Sequence, residues 1–168
     1  MSSIITLTLS PCIDKSASVP LLIPEKKLKC GAPRLEPGGG GLNVARAIKK
    51  LGGEAIAIFP AGGYTGKFLN HLMANENIPS IVIETKNETR ENVIITETTT
   101  NNQYRFGMPG AELDEGEWRE CLKKVQDIKQ AEFIVFSGSL PPGVPPAIFR
   151  ELSTIARDKQ SKLIVDRF

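Results

Sequence analysis

Short apolar segments alternate along the chain with segments of helical spacing, and this alternation constrains the fold more than any other feature. The strand-like segments are 3–9, 54–60, 79–85, 132–137 and 162–166. The helix-like segments are 44–51, 67–74, 118–128 and 145–155. Asp114, followed three residues later by Glu117, predicts a capping box before the third of these helices. Because strands that alternate with helices are typical of a parallel sheet with helices on both faces, we predict an α/β fold.

Two segments interrupt the alternation and predict a second, smaller sheet. Residues 19–35 are rich in proline and irregular, whereas 92–108 hold two apolar stretches around Thr100-Asn101-Asn102, a pattern typical of an antiparallel hairpin. With 168 residues, 40% of them hydrophobic, the chain is long enough for one domain with a substantial core. We predict a single domain over 1–168, from which a small sheet built of segments at about 15–35 and 88–109 projects.

The charge balance and the cysteines exclude several classes of protein. Lysine and arginine number 21 against 19 acidic residues, with no clustered basic stripe of the kind that binds nucleic acid. No apolar run is long enough to cross a bilayer, and residues 1–9 lack the features of a secretion signal. The three cysteines are widely spaced and form no CxxC pair, which argues against a disulfide framework or a zinc site. We expect a cytoplasmic protein without nucleic-acid or membrane partners.

Four consecutive glycines, Gly38 to Gly41, open the first helix-like segment. Glycine lets the backbone approach a ligand closely, and a helix N-terminus offers free N–H groups to oxygen atoms. The third glycine of the dinucleotide-binding fingerprint is missing, because Asn43 or Val44 stands in its place. Since four glycines in a merely flexible turn would raise the cost of ordering it, we interpret this segment as a ligand-binding loop.

A second glycine-rich segment, 61–66, invites comparison with the phosphate-binding P-loop. Its spacing fails, since Ala61 occupies the position of the first glycine and Phe68 that of the Ser or Thr that binds magnesium. We therefore predict a strand-to-helix turn there. Residues 137–143 follow a strand at the edge where α/β proteins bind ligands. Ser139 either donates to a phosphate or hydroxyl oxygen or belongs to a proline-stiffened connector, and the sequence leaves both interpretations open.

Two carboxylates and two arginines are further candidates. Asp14 follows the first strand and Asp166 ends the last, so both are expected at the same edge of the sheet. Two carboxylates there would suit polyol hydroxyls or a magnesium shell, whereas a lone one often caps a turn. Arg90 and Arg105 flank the hairpin and could hold a phosphate between their forked donors, although exposed arginines are commonly just solvated.

Three segments taken together are characteristic of one protein family. They are Thr-Leu-Thr-Leu-Ser-Pro-Cys-Ile-Asp at 6–14, Pro-Gly-Gly-Gly-Gly-Leu-Asn-Val-Ala-Arg at 37–46, and the segment 137–143. They resemble the pfkB group of the ribokinase superfamily of carbohydrate kinases. Within that group the chain resembles the 6-phosphofructokinases, because 1-phosphofructokinases and tagatose-6-phosphate kinases usually carry a lysine where this chain has Gly40. The resemblance covers essentially the whole chain but only the N-terminal part of the family enzyme. It implies a ribokinase-like fold whose C-terminal part is missing here.

The resemblance implies ATP-dependent phosphorylation of fructose 6-phosphate to fructose 1,6-bisphosphate, with ATP and Mg²⁺ as cofactors. A relationship to 1-phosphofructokinase or tagatose-6-phosphate kinase is the alternative. Asp14 would then hold sugar hydroxyls, and Arg90 and Ser139 would hold the 6-phosphate, with Arg105 a weaker candidate. The substrate-binding residues that the resemblance implies are Asp14, Gly39, Gly40, Asn43, Arg90, Arg105 and Ser139.

The projecting sheet resembles the lid of the family, which is also its dimer interface, so a homodimer is implied. Lys27 would lie on this lid and reach the nucleotide across the dimer, and Asp166 matches an acidic position near the metal and phosphates. The Asn-x-x-Glu magnesium motif and the Gly-Ala-Gly-Asp motif, which carries the general base and the anion hole in the family, do not occur in this sequence. We therefore expect this chain by itself to be inactive, and a non-catalytic sugar-phosphate-binding or partner-pairing half-chain remains an alternative.

Overall fold

The computed structural model describes residues 4–167, and within them the chain forms strands and helices in near alternation. The strands are β1 (Ile4–Leu7), β2 (Cys12–Val19), β3 (Arg34–Gly38), β4 (Ala55–Gly62), β5 (Ser80–Thr85), β6 (Arg90–Glu97), β7 (Gln103–Phe106), β8 (Phe133–Ser137) and β9 (Lys162–Asp166). The helices are α1 (Gly40–Lys50), α2 (Gly63–Asn75), α3 (Glu115–Asp127) and α4 (Ile148–Asp158).

Five strands form a parallel main sheet in the order β5-β4-β1-β8-β9. Along β4, Ile58 packs into a core under α3 and α4, whereas Ala57 and Phe59 pack under α1 and α2. Side chains that alternate between the two faces in this way are expected where a sheet is covered on both sides. The predicted α/β fold is confirmed. Among residues 4–167, no helix combines the length and the apolar character needed to cross a membrane.

The second sheet has the order β3-β2-β6-β7 and mixes parallel and antiparallel pairs. Four residues separate β1 from β2, so the chain passes directly from the centre of the main sheet into the centre of the second one. The predicted hairpin is confirmed as the antiparallel pair of β6 and β7. The predicted domain bounds remain a prediction.

Several element boundaries differ from the predictions. The first helix begins at Gly40, not Val44, so Gly40 and Gly41 belong to its first turn. The predicted strand-to-helix turn at 61–66 lies at the right place but is shorter than predicted, because β4 continues to Gly62 and α2 begins at Gly63. The carboxylate of Glu88 accepts the N–H of Thr65 at 2.7 Å, which satisfies the start of α2 without a loop of its own. The capping box of Asp114 and Glu117 is confirmed.

Strands β2 and β3 also correct the prediction, since β2 was missed and β3 begins inside the segment expected to be irregular. The predicted first strand, 3–9, is observed as Ile4–Leu7, and its residue Ser3 lies outside the described residues. The last predicted helix begins at Ile148, three residues after Pro145, where the first turn closes through the N–H of Ile148 and the carbonyl of Pro145.

Two charged side chains fasten the second sheet. Arg46 on α1 donates to the carboxylates of Glu36 and Glu76 and to the carbonyl of Pro37, which joins β3 to α1 and to the end of α2. At the other end of the sheet, the buried carboxylate of Glu97 accepts the N–H of Leu22 at 2.8 Å. A hydrogen bond from the hydroxyl of Thr100, followed by that from Leu22, lowers the pKa of Glu97, so this anchor stays ionised.

We expect Gly40→Ala to destabilise the protein by about 1–3 kcal/mol, the usual cost of forcing extra volume into a packed contact. A Cβ at this position would lie 2.5 Å from the carbonyl carbon of Ser137 and 2.7 Å from the backbone nitrogen of Gly138, so helix or strand must move. Gly107→Ala is the control, because nothing lies within 4 Å of its Cβ position and the change should stay within about 0.5 kcal/mol. Urea unfolding measures both variants, and equal stability of the two would refute the close packing of α1 on β8.

Candidate functional site

The first turn of α1 packs directly against the carboxyl ends of β1 and β8. A Cβ on Gly41 would lie 2.8 Å from the carbonyl oxygen of Leu7, just as one on Gly40 would meet Ser137. Gly39, which precedes the helix, has φ of 117°, a value that side chains rarely permit. The four glycines therefore bring the N–H groups of a helix N-terminus onto the ligand-binding edge of the sheet.

Asp14 lies on β2 beside this glycine segment. Its Oδ1 accepts hydrogen bonds from the amide of Asn92 at 3.0 Å and from the thiol of Cys12 at 3.4 Å. Its Oδ2 lies 2.6 Å from where a Cβ of Gly38 would be, so the glycine leaves room for the carboxylate. The side chain is partly buried, with one oxygen held by the protein.

The thiol of Cys12 is a hydrogen-bonding group and not a nucleophile. Burial, followed by the nearby charge of Asp14, raises its pKa to about 12, while the charge of Arg90 opposes the shift. Cys12 therefore stays protonated at neutral pH, where the thiol both donates to Asp14 and accepts from Asn92 at 3.1 Å.

Arg90, at the start of β6, brings a positive charge to the same place. Its Nη1 donates to the carbonyl of Met108 at 2.6 Å, and its Nη2 donates to the carbonyl of Ser10 at 3.2 Å. Its Nε is buried and has no partner, and within residues 4–167 no ion pair neutralises the guanidinium. A guanidinium that contacts only carbonyl oxygens keeps its charge available for an anion.

Ser139 is exposed just beyond the end of β8. The preceding Gly138 adopts φ of 114° and donates its N–H to the carbonyl oxygen of Asp166 at 3.0 Å. The hydroxyl of Ser137 donates to Oδ2 of Asp166 at 2.9 Å. These bonds join the residues before Ser139 to the end of β9, and the close packing of Gly40 on Ser137 and Gly138 brings the start of α1 to the same place.

The loop after β7 closes the site from the second sheet. A Cβ on Gly110 would lie 2.6 Å from the hydroxyl oxygen of Ser10 and 3.2 Å from Cβ of Pro141. The segments that follow β1, β7 and β8 therefore touch one another, and Asp14, Gly39, Gly40, Arg90 and Ser139 border this junction.

Three of the predicted site residues, Asn43, Arg105 and Lys27, stand apart from that group. Asn43 is exposed on α1, where its Oδ1 accepts a hydrogen bond from Arg46. Arg105 pairs with Ile94 in the register of β6 and β7, which puts it about 13 Å beyond Arg90 along the sheet at roughly 3.3 Å per residue, and it bonds to Gln103. The two arginines therefore do not form a clamp within one chain. Lys27 is exposed in the loop between β2 and β3.

Asp166, the residue predicted to bind metal, adjoins that group through Ser137 and Gly138. It is exposed at the end of β9 and already accepts the hydroxyl of Ser137. Within residues 4–167 no group of three or more His, Cys, Asp or Glu side chains is arranged to hold a metal ion. The residues described here therefore do not form a magnesium shell.

Sequence reasoning missed Asn92, Ser10 and Met108 as parts of this site. Asn92 bonds to side chains 78 and 80 positions away, and Arg90 reaches Ser10 across 80 positions. No short motif carries such contacts. The one usable signal was the predicted hairpin, because the segment 92–108 begins at Asn92 and ends at Met108.

Comparisons with known proteins identify the family of the chain. The model of the pfkB family carbohydrate kinases matches residues 5–168. The chain is 48% identical over 99% of its length to the ATP-dependent 6-phosphofructokinase isozyme 2 of Escherichia coli, covering 54% of that protein. It is 30% identical over 97% of its length to the D-tagatose-1-phosphate kinase of Bacillus licheniformis, covering 53% of that protein.

Among solved structures, phosphofructokinase-2 from Escherichia coli in complex with fructose-6-phosphate superposes with a TM-score of 0.94 at 48% identity. The match covers 99% of this chain and 55% of that one. The chain thus spans about half the length of the curated relatives it matches. By the match over residues 5–168, it belongs to the pfkB family of carbohydrate kinases.

Proposed function

We propose that the protein serves the ATP-dependent phosphorylation of fructose 6-phosphate to fructose 1,6-bisphosphate, and that the described residues supply the sugar-phosphate side of the site. The observation that carries the proposal is the juxtaposition of Arg90, whose charge no ion pair within residues 4–167 neutralises, with Asp14 and the start of α1. Arg90 and the start of α1 suit an anion, and the carboxylate of Asp14 suits sugar hydroxyls. The 6-phosphofructokinase similar to this chain supports the choice of substrate.

The proposed roles follow from the donors and acceptors. Oδ2 of Asp14 accepts a sugar hydroxyl, and the backbone of Gly39 and Gly40 lines the sugar. Arg90 and the exposed hydroxyl of Ser139 hold the phosphate. Asn43 turns toward the sugar when it releases Arg46, whose bond to it is long at 3.4 Å. Arg105 takes at most a secondary part.

ATP is the proposed phosphoryl donor and Mg²⁺ its metal, with Lys27 near the nucleotide and Asp166 near the metal. Since the described residues form no magnesium shell, no step of the reaction is assigned to them.

The chain by itself is proposed to bind the sugar phosphate without turning it over. A general base contributes about 10²–10⁴ in rate and preorganised donors about 10²–10³ more. From a typical kcat of about 10 s⁻¹, turnover without both should not exceed about 10⁻³ s⁻¹.

Arg90→Gln tests the proposal by titration calorimetry with fructose 6-phosphate. Loss of the charge should weaken binding about 10-fold or more, because hydrogen bonds to charged groups contribute roughly 1.5–3 kcal/mol. Arg34→Gln is the matched control, since this arginine is 75% exposed and pairs only with Glu36 in the described structure, and its variant should bind like the original chain.

Three results would contradict the proposal in different ways. Absence of binding by the unaltered chain at millimolar fructose 6-phosphate would reject the sugar-phosphate site. Tighter binding of fructose 1-phosphate or tagatose 6-phosphate in the same titration would favour the alternative sugar, in line with the similarity of the chain to a 1-phosphofructokinase and a tagatose-6-phosphate kinase. A turnover of ordinary kinase magnitude in an ATP-coupled assay would reject the inactivity of the chain by itself.

The homodimer through the second sheet is also a proposal. Apolar side chains are exposed on and beside β7, namely Tyr104, Phe106 and Met108, and in the neighbouring loop, namely Leu21 and Ile23. Exposed apolar patches of this kind are typical of protein interfaces, and a second copy of the chain fits the family lid.

Phe106→Asp should raise the dissociation constant of the dimer at least 10-fold, because it places a charge in the proposed interface. Tyr64→Asp is the control, since Tyr64 is 88% exposed but lies on α2, which covers the main sheet. Sedimentation velocity over a concentration series measures both. A monomeric original chain, or equal dissociation by the two variants, would reject this interface.

A further inference from the structure

We propose that Asn92 is a positioning residue that orients the carboxylate of Asp14 toward the sugar. This inference rests on the proposed function, because it deepens the role given to Asp14. It concerns the second sheet, where Asn92 bonds to three residues on two separate segments, β2 and the loop after β7.

The register of β2 and β6 places four polar side chains together. Cys12 pairs with Arg90 and Asp14 pairs with Asn92. Since side chains two residues apart point to the same face of a strand, all four lie on one face of the second sheet. This face adjoins Gly38 of β3, whose lack of a side chain leaves it open.

The hydrogen bonds of Asn92 fix which way its amide points. Its Nδ2 donates to Oδ1 of Asp14 at 3.0 Å and to the thiol of Cys12 at 3.1 Å, while its Oδ1 accepts the N–H of Met108 at 3.1 Å. A flipped amide would set an oxygen against the carboxylate and an N–H against an N–H donor, so only one orientation satisfies these partners.

The consequence for Asp14 is that its two oxygens have different tasks. Oδ1 receives the hydrogen bonds from Asn92 and Cys12. Within residues 4–167, no hydrogen bond to Oδ2 is observed. A carboxylate oxygen without a protein donor can accept a sugar hydroxyl. Held by one oxygen, the carboxylate presents the other in a fixed plane, which lowers the cost of ordering it on binding.

The chemistry of asparagine suits this task better than that of a charged donor. Arginine or lysine at the same place would pair with Asp14 and neutralise it. An amide donates a hydrogen bond while it leaves the negative charge in place. The link to Met108 also ties Asp14 to the segment whose carbonyl holds Arg90, so the groups proposed for hydroxyls and for phosphate share one support.

A double-mutant cycle tests this inference by titration calorimetry with fructose 6-phosphate. Asn92→Ala should weaken binding about 10-fold, the loss expected for one hydrogen bond to a charged group. In an Asp14→Ala background the same change should cost nothing further, because the group it acts through is gone. Asn75→Ala is the matched control and should bind normally, since Asn75 is exposed on α2 and its side chain hydrogen-bonds to His71.

Asn92→Asp keeps the shape of the side chain and the acceptor for the N–H of Met108. It is therefore the variant to measure if Asn92→Ala does not fold. Its carboxylate would face that of Asp14 at about hydrogen-bond distance, and affinity should fall at least as far as in Asn92→Ala. Thermal melting checks that each variant is folded.

The outcomes separate this inference from the function it rests on. Normal binding by the folded Asn92 variants, or an equal loss with and without Asp14, would overturn the positioning role while the sugar site stands. An unaltered chain that shows no heat with fructose 6-phosphate would overturn the proposed function and this inference with it.

Discussion

The close approach of α1 to the ends of β1 and β8 is the contact on which the site depends. A Cβ at Gly40 or Gly41 would fall within 3 Å of backbone atoms of these strands, so only glycine permits the helix to begin there. Its free N–H groups are consequently delivered to the ligand-binding edge of the sheet. Arg46 on the same helix pairs with Glu36 and Glu76, and thereby ties β3 of the second sheet to α1 and to the end of α2.

The site lies at the joint between the two sheets. The chain passes from β1 to β2 in four residues, and the face of the second sheet near this connection carries Asp14, Asn92 and Arg90 next to the helix start. Backbone carbonyls of Ser10 and Met108 hold Arg90. The group proposed to bind hydroxyls and the group proposed to bind an anion are thus supported by the same few segments, an arrangement that suits a sugar phosphate.

The sequence allowed the main sheet to be predicted because each of its strands and helices carries its own periodicity. Strand β2 lacked such a signal, since Cys-Ile-Asp-Lys-Ser-Ala-Ser-Val shows no regular alternation and gains its conformation from pairing with both β3 and β6. The glycine segment was predicted as a ligand loop from local chemistry alone. The support of Asp14 by Asn92 was not predictable in this way, because the two residues are 78 positions apart and only the register of the folded sheet joins them.

The most direct test of a sugar-phosphate site at this joint is a map of backbone amide shifts by NMR on addition of fructose 6-phosphate, with fructose and inorganic phosphate titrated separately. We expect the sugar phosphate to shift Asp14, Gly39, Gly40, Arg90 and Ser139, and inorganic phosphate to shift mainly the last two. Shifts confined to another surface, such as the groove between α3 and α4 that Arg119 and Glu151 line, would contradict the assignment of this joint as the binding site.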